Sequence, residues 1–454
     1  MFDANSDAKA AYMQGNRQYV TLTVTETDGE TTHTLTEANI VEGGFTIDNY
    51  CATASRLEVG TAVAAQLTVS FFNADGELDA INFKGAEILV EHKVKGIEYA
   101  YDTFYGGVFT VDTVIKRGSV ITVTAYDNMT KLDKLVGMSY EAFYLANGDI
   151  TIAQTGRVYT RGTFGWLFHL CCTNCGVYIK AYLQSTDLRA YFSDTFCDTA
   201  ITDIQNMANL TYRTILMNLC ALAVGVAVLD GQGNMTITAF RTIGYLAYGY
   251  ESSEVFASEV DLENAQSCKG ICYTTASGTK VALRPDTYAQ NSKEYINADR
   301  SVISYYQDDA TEADYDNPDH GNLRWEQYRR ASMASYIPFS AKVMPSPFIQ
   351  PADMITLPAM ENLGSKGIVT HITYHLNGAT EISGTEQIND DTSTTSDYTW
   401  QGSQTGQSLA ALEARVTALE NGSGGRSSNN IGYPIGLLDG TSRSIIGEFE
   451  EVVE

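Results

Sequence analysis

The chain has 454 residues, 44% of them hydrophobic, which is enough to bury the cores of roughly two to four domains. Its 55 acidic and 29 basic residues give a formal net charge of −26, which argues against a protein that grips nucleic-acid phosphates with clustered Lys and Arg. The most apolar run, residues 219–229, is too short to span a membrane, and residues 1–14 lack the basic and apolar regions of a signal peptide.

Residues 18–130 read as strands joined by turns. Val20, Leu22 and Val24 alternate with threonine, and Asp28 and Gly29 follow as a turn signal. The same alternation recurs at residues 67–71, 108–111 and 120–126. Short alternating strands at this spacing predict an antiparallel barrel or sandwich.

The stretch LTYRTILMNLCALAVGVAVLDGQGNMTITAF, residues 210–240, predicts a helix, a glycine stop and a β-hairpin. Thr211 can cap the helix. One apolar helix face is formed by Ile215, Leu216, Leu219, Leu222 and Ala223. Gly225 is predicted to adopt the left-handed conformation of a helix stop, and the strand that follows turns at residues 230–231.

This helix–glycine–strand unit occurs twice. When the sequence is aligned with itself at an offset of 49 residues, five residues of the first copy match the second. They are Leu167, Leu170, Cys171, Gly176 and Val177, which align with Leu216, Leu219, Cys220, Gly225 and Val226. Neither copy holds a nucleophile with a base beside it, and the shared residues serve packing and chain reversal. We therefore predict that the unit is scaffold.

The acidic segment DDATEADYDNPDH, residues 308–320, contains three carboxylates that can converge on a cation, Asp314, Asp316 and Asp319. It lacks the glycine and the terminal Glu of an EF-hand loop, so a solvated loop is the favoured interpretation. A helix is predicted at residues 322–335, ended by Pro338, and strands are predicted at residues 354–357 and 368–372.

The eight cysteines lie mostly in apolar runs, which predicts reduced core residues. Cys172 and Cys175 form a C-x-x-C, but no second pair follows at zinc spacing. None of the six histidines belongs to an H-E-x-x-H motif, and only His169 lies near cysteines in the sequence. The sequence therefore predicts no catalytic, cofactor-binding or metal-binding residue.

The composition changes after residue 384. Residues 385–408 are polar and poor in aliphatic side chains, which predicts a linker. Residues 409–421 then carry a heptad seam with spacings of 3, 4 and 3, formed by Leu409, Leu412, Val416 and Leu419. Two heptads are too short to be stable alone, so other contacts must hold the chains together.

Around that seam, Arg415 and Glu420 complete a pattern that resembles the short trimerisation motif of parallel coiled coils. The resemblance implies that Arg415 meets Glu420 of a neighbouring chain. The trimerisation residues are thus predicted to be Leu409, Leu412, Arg415, Val416, Leu419 and Glu420, and the alternative is a single surface helix. Residues 422–454 contain YPIGLL and end in EFEEVVE, which suits either a peptide that docks on a partner or a segment without fixed structure.

Taken in order, four stretches resemble the tail hub proteins of tailed phages, namely the baseplate hub of contractile tails and the N-terminal hub of tail-associated proteins in long flexible tails. The first two are FTIDNYCATASRLEVGTAVAAQLTVSFF from Phe45 and GGVFTVDTVIKRGSVITVTAYDNMTKLDK from Gly106. The other two are TYRTILMNLCALAVGVAVLDGQGNMTI from Thr211 and NPDHGNLRWEQYRRASMASYIPFSAKVMPSPFIQPADMITL from Asn317. The last stretch departs from the family where Ala352-Asp353 replaces the usual Gly-Asp.

The resemblance spans residues 45–385 and implies a mainly β fold with an α+β insertion. Residues 1–155 would form a first β-barrel-like hub domain, completed by residues 336–384. Residues 156–335 would be the inserted α+β domain with a second barrel-like part. The linker (385–408), the short coiled coil (409–421) and the C-terminal tail (422–454) would follow.

A hub of this kind is a homotrimer in the virion tail, assembled in the host cytoplasm. It joins a sixfold tail tube to a threefold central spike or fibre and forms part of the DNA channel. The implied partners are the tail tube, distal tail proteins and the tape-measure protein. An acidic lumen would let DNA pass without specific recognition, because like charges repel.

Two other classes remain open. A tail-associated cell-wall hydrolase is disfavoured because no convergent acid, base or nucleophile is present and no large domain follows the linker. A receptor-binding adhesin is disfavoured because the chain lacks the long repetitive region of a trimeric fibre. Neither an enzyme nor a cofactor is therefore expected.

Overall fold

The fold is given by a computed structural model. It describes residues 6–51, 60–95, 101–152, 157–179, 197–239, 247–261, 335–363 and 366–384, together with 266–267, 271–274, 280–283, 296–297 and 303–305. The acidic segment 308–320, the linker, the coiled coil and the tail lie outside the described residues. So does the helix predicted at residues 322–335, except that its last residue, Ser335, begins a strand.

Four α-helices lie in the described residues, α1 (Ser6–Met13), α2 (Tyr140–Ala146), α3 (Phe164–Thr173) and α4 (Tyr212–Leu222). The strands are β1 (Gln18–Thr25), β2 (Thr32–Thr36), β3 (Ile40–Tyr50), β4 (Gln66–Phe72), β5 (Glu87–Lys95), β6 (Tyr101–Arg117), β7 (Val120–Asp127), β8 (Ile150–Thr151), β9 (Val158–Tyr159), β10 (Ile201–Ile204), β11 (Gly225–Leu229), β12 (Met235–Ala239), β13 (Tyr248–Gly249), β14 (Val255–Val260), β15 (Gln266–Ser267), β16 (Ile271–Thr274), β17 (Lys280–Leu283), β18 (Ile296–Asn297), β19 (Ile303–Tyr305), β20 (Ser335–Tyr336), β21 (Phe339–Val343), β22 (Met354–Thr356), β23 (Gly367–Ile368), β24 (His371–His375) and β25 (Thr380–Gly384). The protein is thus mainly β, as the sequence predicts.

The largest element is an antiparallel sheet of eleven strands in the order β14-β21-β25-β24-β3-β4-β7-β6-β5-β1-β2. Strands from the two ends of the described chain meet at its centre, where β24 pairs with β3 from His371–Tyr50 to His375–Thr46. Between these two strands in sequence, the chain adds β4 to β7 to the sheet, leaves it, and returns with β14 and β21. One sheet therefore joins N-terminal strands to strands more than 300 residues later.

The sheet has one apolar face, because its strands alternate as the sequence predicts. Val20, Leu22 and Val24 of β1 are fully buried, and they share a core with Leu67 and Val69 of β4. Strands several positions apart in the sheet thus share one core, which requires the sheet to curl. No pairing among the described strands closes it, since β2 and β14 are its two edges. The architecture is a curled open sheet. The sequence predicts an antiparallel barrel or sandwich with barrel-like hub domains, and no closed barrel is found among the described strands.

The helices α3 and α4 form a second core beside the sheet. The predicted apolar face of α4 is buried, with Ile215, Leu216 and Leu219 at 0% exposure. Thr211 caps α4 as predicted, because its hydroxyl accepts a hydrogen bond from the Thr214 N–H at 3.1 Å. The helices of the two copies of the repeated unit pack against each other.

The predicted helix stop at Gly225 is wrong by one residue. The left-handed residue after α4 is Val224, with φ of 50°, whereas Gly225 already begins β11. A Cβ on Gly225 would lie 2.6 Å from the carbonyl oxygen of Thr238 on β12. Gly225 is therefore required by the close approach of two strands. In the first copy, Gly176 does adopt the left-handed conformation, with φ of 68°.

A third core lies where α1 packs near β13, β22 and the late strands. A tight turn at residues 350–353 enters β22, with the Asp353 N–H bonded to the Gln350 carbonyl at 3.1 Å. Pro351 occupies its second position, and Ala352 occupies its third with φ of 69°. That third position favours glycine when φ is positive. Glycine adopts this conformation more readily than alanine, so the Gly-Asp that the hub resemblance implies at Ala352-Asp353 would fit the turn with less strain.

Candidate functional site

The four stretches that carry the sequence resemblance meet around one cavity. Its lining includes Asn49 from the first stretch, Asp127 from the second, Asp230 from the third and Pro347 from the fourth. All but three of the lining residues belong to these stretches, the exceptions being His92, Ile372 and Tyr374. The cavity offers about 30 Å³ to the centres of water-sized molecules, so it has room for one or two ordered waters. We call this region the junction cavity.

One wall of the junction cavity is the β11–β12 hairpin, which rests on the bulged part of β6. The turn is closed by the Asp230 N–H bonded to the Asn234 carbonyl at 2.9 Å, as predicted from residues 230–231. A Cβ on Gly231 would collide with the carbonyl group of Tyr105, and a Cβ on Gly233 would lie 2.5 Å from the Asn128 amide nitrogen. The two glycines therefore let the hairpin backbone lie directly on the large sheet.

The other side of the hairpin is held by the chain just before β4. The Gly60 N–H donates to the Gly225 carbonyl at 2.7 Å, and the Ala227 N–H donates to the Thr61 carbonyl at 2.9 Å. A Cβ on Gly60 would meet Ala221 of α4. The repeated unit is therefore fixed between two segments of the first 130 residues. This arrangement agrees with the predicted scaffold role of the unit.

His92 is the most buried titratable side chain of the cavity, at 1% exposure. Its ring lies 5.3 Å from the Phe104 ring and 5.1 Å from the Tyr374 ring. Burial lowers the pKa of His92 to about 3, so the ring is neutral at physiological pH. Its Nδ1 has no hydrogen-bond partner among the described residues, and a Cβ on Gly106 would collide with the ring. A neutral, enclosed imidazole of this kind fills space and does not shuttle protons.

Asp127 ties the large sheet to the segment that enters the helical core. Its carboxylate accepts the Ala65 N–H at 3.0 Å and the Met129 N–H at 3.0 Å, the second bond capping a short 3-10 helix at Asn128–Asp133. Burial raises the pKa of Asp127 to about 7, against the opposing effect of the two N–H donors and of Arg213. The carboxyl group holds backbone on both sides and has no free oxygen aimed at a substrate.

On the outer face of the sheet, Thr373, His371 and Asp48 lie together. The Asp48 carboxylate is 2.6 Å from Nε2 of His371, and it accepts the Thr373 hydroxyl at 2.8 Å. The Thr373 hydroxyl approaches the same ring nitrogen at 3.3 Å. A hydrolytic triad needs the nucleophile and the acid on opposite nitrogens of the imidazole. Since both groups share Nε2, this cluster is a surface ladder of hydrogen bonds and not a relay.

The C-x-x-C sequence lies at the C-terminal end of α3. Cys172 is fully buried, its carbonyl closes the helix by accepting the Cys175 and Val177 N–H groups at 3.0 Å, and burial raises the pKa of its thiol. Burial also raises the pKa of Cys175 to about 11. Reactive thiols are stabilised at helix N-termini, whereas a C-terminal end disfavours the thiolate. Cys51, Cys171, Cys172, Cys175 and Cys220 are free thiols, and no group of three potential metal ligands is found in the described part of the chain.

Sequence reasoning did not identify His92 or Asp127. Both lie at inward positions of alternating strands, where the pattern would favour an apolar residue, and Asp127 also belongs to the second hub-like stretch. His169, the one histidine near cysteines, lies on α3, and burial lowers its pKa. The predicted trimerisation residues all lie outside the described residues. No helix in the described residues is long and apolar enough to cross a membrane.

No protein-family model matches the sequence, and no curated protein matches it either. Among solved structures, the fold is similar to the prophage MuSo2 43 kDa tail protein from Shewanella oneidensis, with 13% identity, a TM-score of 0.41, and coverage of 81% of this chain and 98% of that one. It is similar to the tail protein from Neisseria meningitidis MC58, with 10% identity, a TM-score of 0.42, and coverage of 82% and 97%. It is also similar to a chain of the Francisella PdpA–VgrG complex, with 9% identity, a TM-score of 0.39, and coverage of 83% and 59%. Identities and TM-scores this low do not assign the chain to a family.

Proposed function

We propose that this protein is the structural hub at the tip of a phage tail or of a phage-like particle. Three chains would form a ring that joins the sixfold tail tube to a threefold spike or fibre, and the ring would form part of the DNA channel. The observation that carries the proposal is the convergence of the four hub-like stretches on the junction cavity. Stretches that begin between Phe45 and Asn317 supply its walls.

The residues in these stretches cap helices and hold backbone segments together, as expected for a structural protein. Thr211 caps α4, and Arg213 donates to the Met129 carbonyl at 3.0 Å and to Asp133 at 2.8 Å. Asp127 and Gly231 fix the contact between the sheet and the repeated unit. Side chains of this kind preserve a shape, as an assembly scaffold requires.

The topology of the large sheet also supports the proposal. The pairing of β24 with β3 lets the last described strands complete a sheet that the first strands begin. Of the strands between them in sequence, β4 to β7, β14 and β21 belong to the same sheet, whereas β8 to β13 and β15 to β20 do not. We take this as support for the inserted domain that the hub resemblance implies between residues 156 and 335, with β14 as a return of the chain to the sheet.

A structural role is further favoured over a hydrolase by the geometry of the reactive groups. Thr373, His371 and Asp48 meet on one ring nitrogen, and Cys172 and Cys175 lie at the wrong end of their helix for activation. Each group that resembles a catalytic element is thus arranged for hydrogen bonding or packing. The proposal accordingly assigns no enzymatic activity to the chain.

We place the contact that sets the threefold symmetry in residues 409–421. Leu409, Leu412, Val416 and Leu419 would form the seam, and Arg415 would pair with Glu420 of a neighbouring chain. The ring contacts of the hub body would supply the association that two heptads lack. The proposed partners are the tail tube, distal tail proteins, the tape-measure protein and the central spike or fibre, all within the virion tail.

The experiment combines symmetry and partnership. The full chain is mixed with a tail-tube protein from the same particle, and the complexes are imaged by negative-stain microscopy, with sedimentation velocity to give the mass. Threefold particles that cap tube ends are expected. Chains that stay monomeric at every concentration and bind no tube would refute the proposal.

A charge exchange tests the coiled-coil part separately. Arg415→Glu and Glu420→Arg should each weaken the trimer, because they place like charges together. The double variant should restore it. Equal masses for all three variants would rule out the Arg415–Glu420 contact but leave the tube-capping role open.

A further inference from the structure

One edge of the large sheet is open in a way that soluble proteins usually avoid. Strand β14 pairs with β21 on one side, and no described strand pairs with its other side. Phe256, Ala257, Ser258 and Glu259 are all exposed, so neither face of the strand is covered there. Phe256 is 60% exposed. The strand has a β-bulge between Val255 and Ala257 and one charged side chain, Glu259, but no Lys or Pro, so beyond the bulge its edge can still pair with another strand.

A groove lies beside the start of this strand. Phe256 forms one wall, and the others are the α1–β1 loop at residues 15–18, the β24–β25 turn at residues 377–379, and the chain after β21 at residues 344–345. The groove offers about 330 Å³ to the centres of water-sized molecules, roughly ten times the space of the junction cavity.

Hydrogen bonds hold the floor of the groove together. The Gln18 N–H donates to Asn377 Oδ1 at 2.9 Å, and Gln18 Oε1 accepts the Tyr374 hydroxyl at 2.6 Å and the Asn377 N–H at 3.3 Å. Gly15 and Gly378 contribute backbone alone. A groove that is already formed does not require ordering when a ligand binds, which favours affinity.

The charges beside the groove define what fits it. Arg17 is the one charged residue in its lining, and it is exposed and forms no ion pair with any described residue. Its guanidinium carbon lies 5.4 Å from the centroid of the Tyr19 ring. Glu259 is exposed three residues after Phe256, about 10 Å farther along the strand. The lining of the groove thus combines a cation with an apolar wall, and an exposed anion follows on β14.

We propose that the free edge of β14 and this groove form a docking site for an extended segment of a partner protein. The segment adds as a strand to β14 and places an acidic side chain against Arg17, an apolar side chain beside Phe256, and a basic side chain against Glu259. Backbone hydrogen bonds give affinity in such strand addition, and the side-chain contacts give specificity. The site is independent of the hub assembly proposed above.

A second copy of the chain fits this site poorly through its own free edge, β2. The one aliphatic side chain of β2, Leu35, is 4% exposed because it belongs to the core of the sheet. The only basic group of β2, His33, is 2.9 Å from Glu26 of its own chain. Neither side chain is available to the groove, so β2 of a second copy does not supply the complementary segment, and the proposal takes the segment to come from a different protein.

Synthetic peptides and the full chain test the site by fluorescence anisotropy. The probe is the labelled peptide TDVTVTKT, whose order of charges matches a strand added parallel to β14. The controls are its charge-exchanged form TKVTVTDT and the form TDVTPTKT, whose proline cannot pair with the edge. The probe should bind at least about tenfold more tightly than either control. Phe256→Ala and Arg17→Glu should each weaken it about tenfold, whereas Phe72→Ala and Arg117→Glu, exposed residues elsewhere, should leave it within about twofold.

A double exchange makes the test independent of any folding defect. The variant with Arg17→Glu and Glu259→Lys should bind TKVTVTDT in preference to TDVTVTKT. Equal binding of the three peptides, or an unchanged preference in the double variant, would overturn the proposal. Self-association of the wild-type chain that is lost in Phe256→Ala, measured by sedimentation velocity, would overturn it too, because it would assign the edge to a second copy.

Discussion

Replacement of Gly231 by alanine tests the contact between the repeated unit and the large sheet. The Cβ of the new side chain would overlap the Tyr105 carbonyl group of β6. The hairpin must then move away by about 1 Å or more, because packed interiors have no spare volume. The movement would also stretch the bond from the Asn128 amide to the Gly233 carbonyl, already 3.3 Å long.

The cost of Gly231→Ala follows from these contacts. Overpacking against fixed backbone costs about 1–3 kcal/mol. Loss of the Asn128 bond adds about 1 kcal/mol. The reduced backbone entropy of the unfolded alanine chain returns about 0.4–1 kcal/mol. Gly231 is not among the residues with positive φ, so no backbone strain enters, and the net loss is about 2 kcal/mol of unfolding free energy.

The assay is urea unfolding of the full chain, followed by far-ultraviolet circular dichroism and intrinsic fluorescence. Gln232→Ala is the matched control, because Gln232 is exposed in the same turn. It should change the free energy of unfolding by no more than about 0.5 kcal/mol. If Gly231→Ala unfolds at the same urea concentration as the wild type and Gln232→Ala, the hairpin does not lie on β6, and the scaffold role of the unit is wrong.

Three further substitutions have defined outcomes in the same assay. Leu219→Ala should lower the unfolding free energy by about 2–5 kcal/mol, because Leu219 is fully buried between the helices and leaves a cavity; an unchanged midpoint would contradict the helical core. Ala352→Gly should be neutral or raise it by up to about 1 kcal/mol, since relief of left-handed strain exceeds the entropy cost of glycine, whereas Ala341→Gly in β21 should lower it. Asp127→Asn should flatten the pH dependence of stability. The pKa of Asp127 is raised to about 7 in the folded state, so the folded protein binds this proton more tightly than the unfolded chain does. Protonated Asp127 therefore contributes fully to the free energy of unfolding below about pH 4, and this contribution is lost as the pH rises to about 7. A wild-type midpoint that changes with pH no more steeply than that of the variant would contradict this burial.

Local patterns in the sequence predict local structure well here. The cap at Thr211, the apolar face of α4 and the turn at residues 230–231 depend on residues a few positions apart, and all three are confirmed. The conformation of Gly225 is predicted wrongly because the helix-stop pattern, too, considers only residues a few positions apart. Its glycine is needed because β12 approaches closely, and this contact is absent from the helix-stop pattern.

The open sheet and the junction cavity depend on distant residues. Alternation within β3 or β24 predicts a strand but does not state that these two strands pair. His92 is neutral because Phe104 and Tyr374 enclose it, and Tyr374 lies on a strand from the other end of the described chain. The sequence alone places the hub-like stretches in order, and only the fold places them around one cavity.

The central pairing of β3 with β24 has a consequence for synthesis on the ribosome. Asp48 and His371, which contact each other across this pair, are separated by 323 positions. At about 5–20 residues per second, the ribosome needs roughly 15–60 s to make the chain between them. The strands from β1 to β7 can pair during that time, but the outer edge of β3 stays without its neighbour. Each nascent chain therefore exposes an unpaired strand edge during this time. The length of the segment between β3 and β24 sets how long chaperones must shield that edge from wrong pairing.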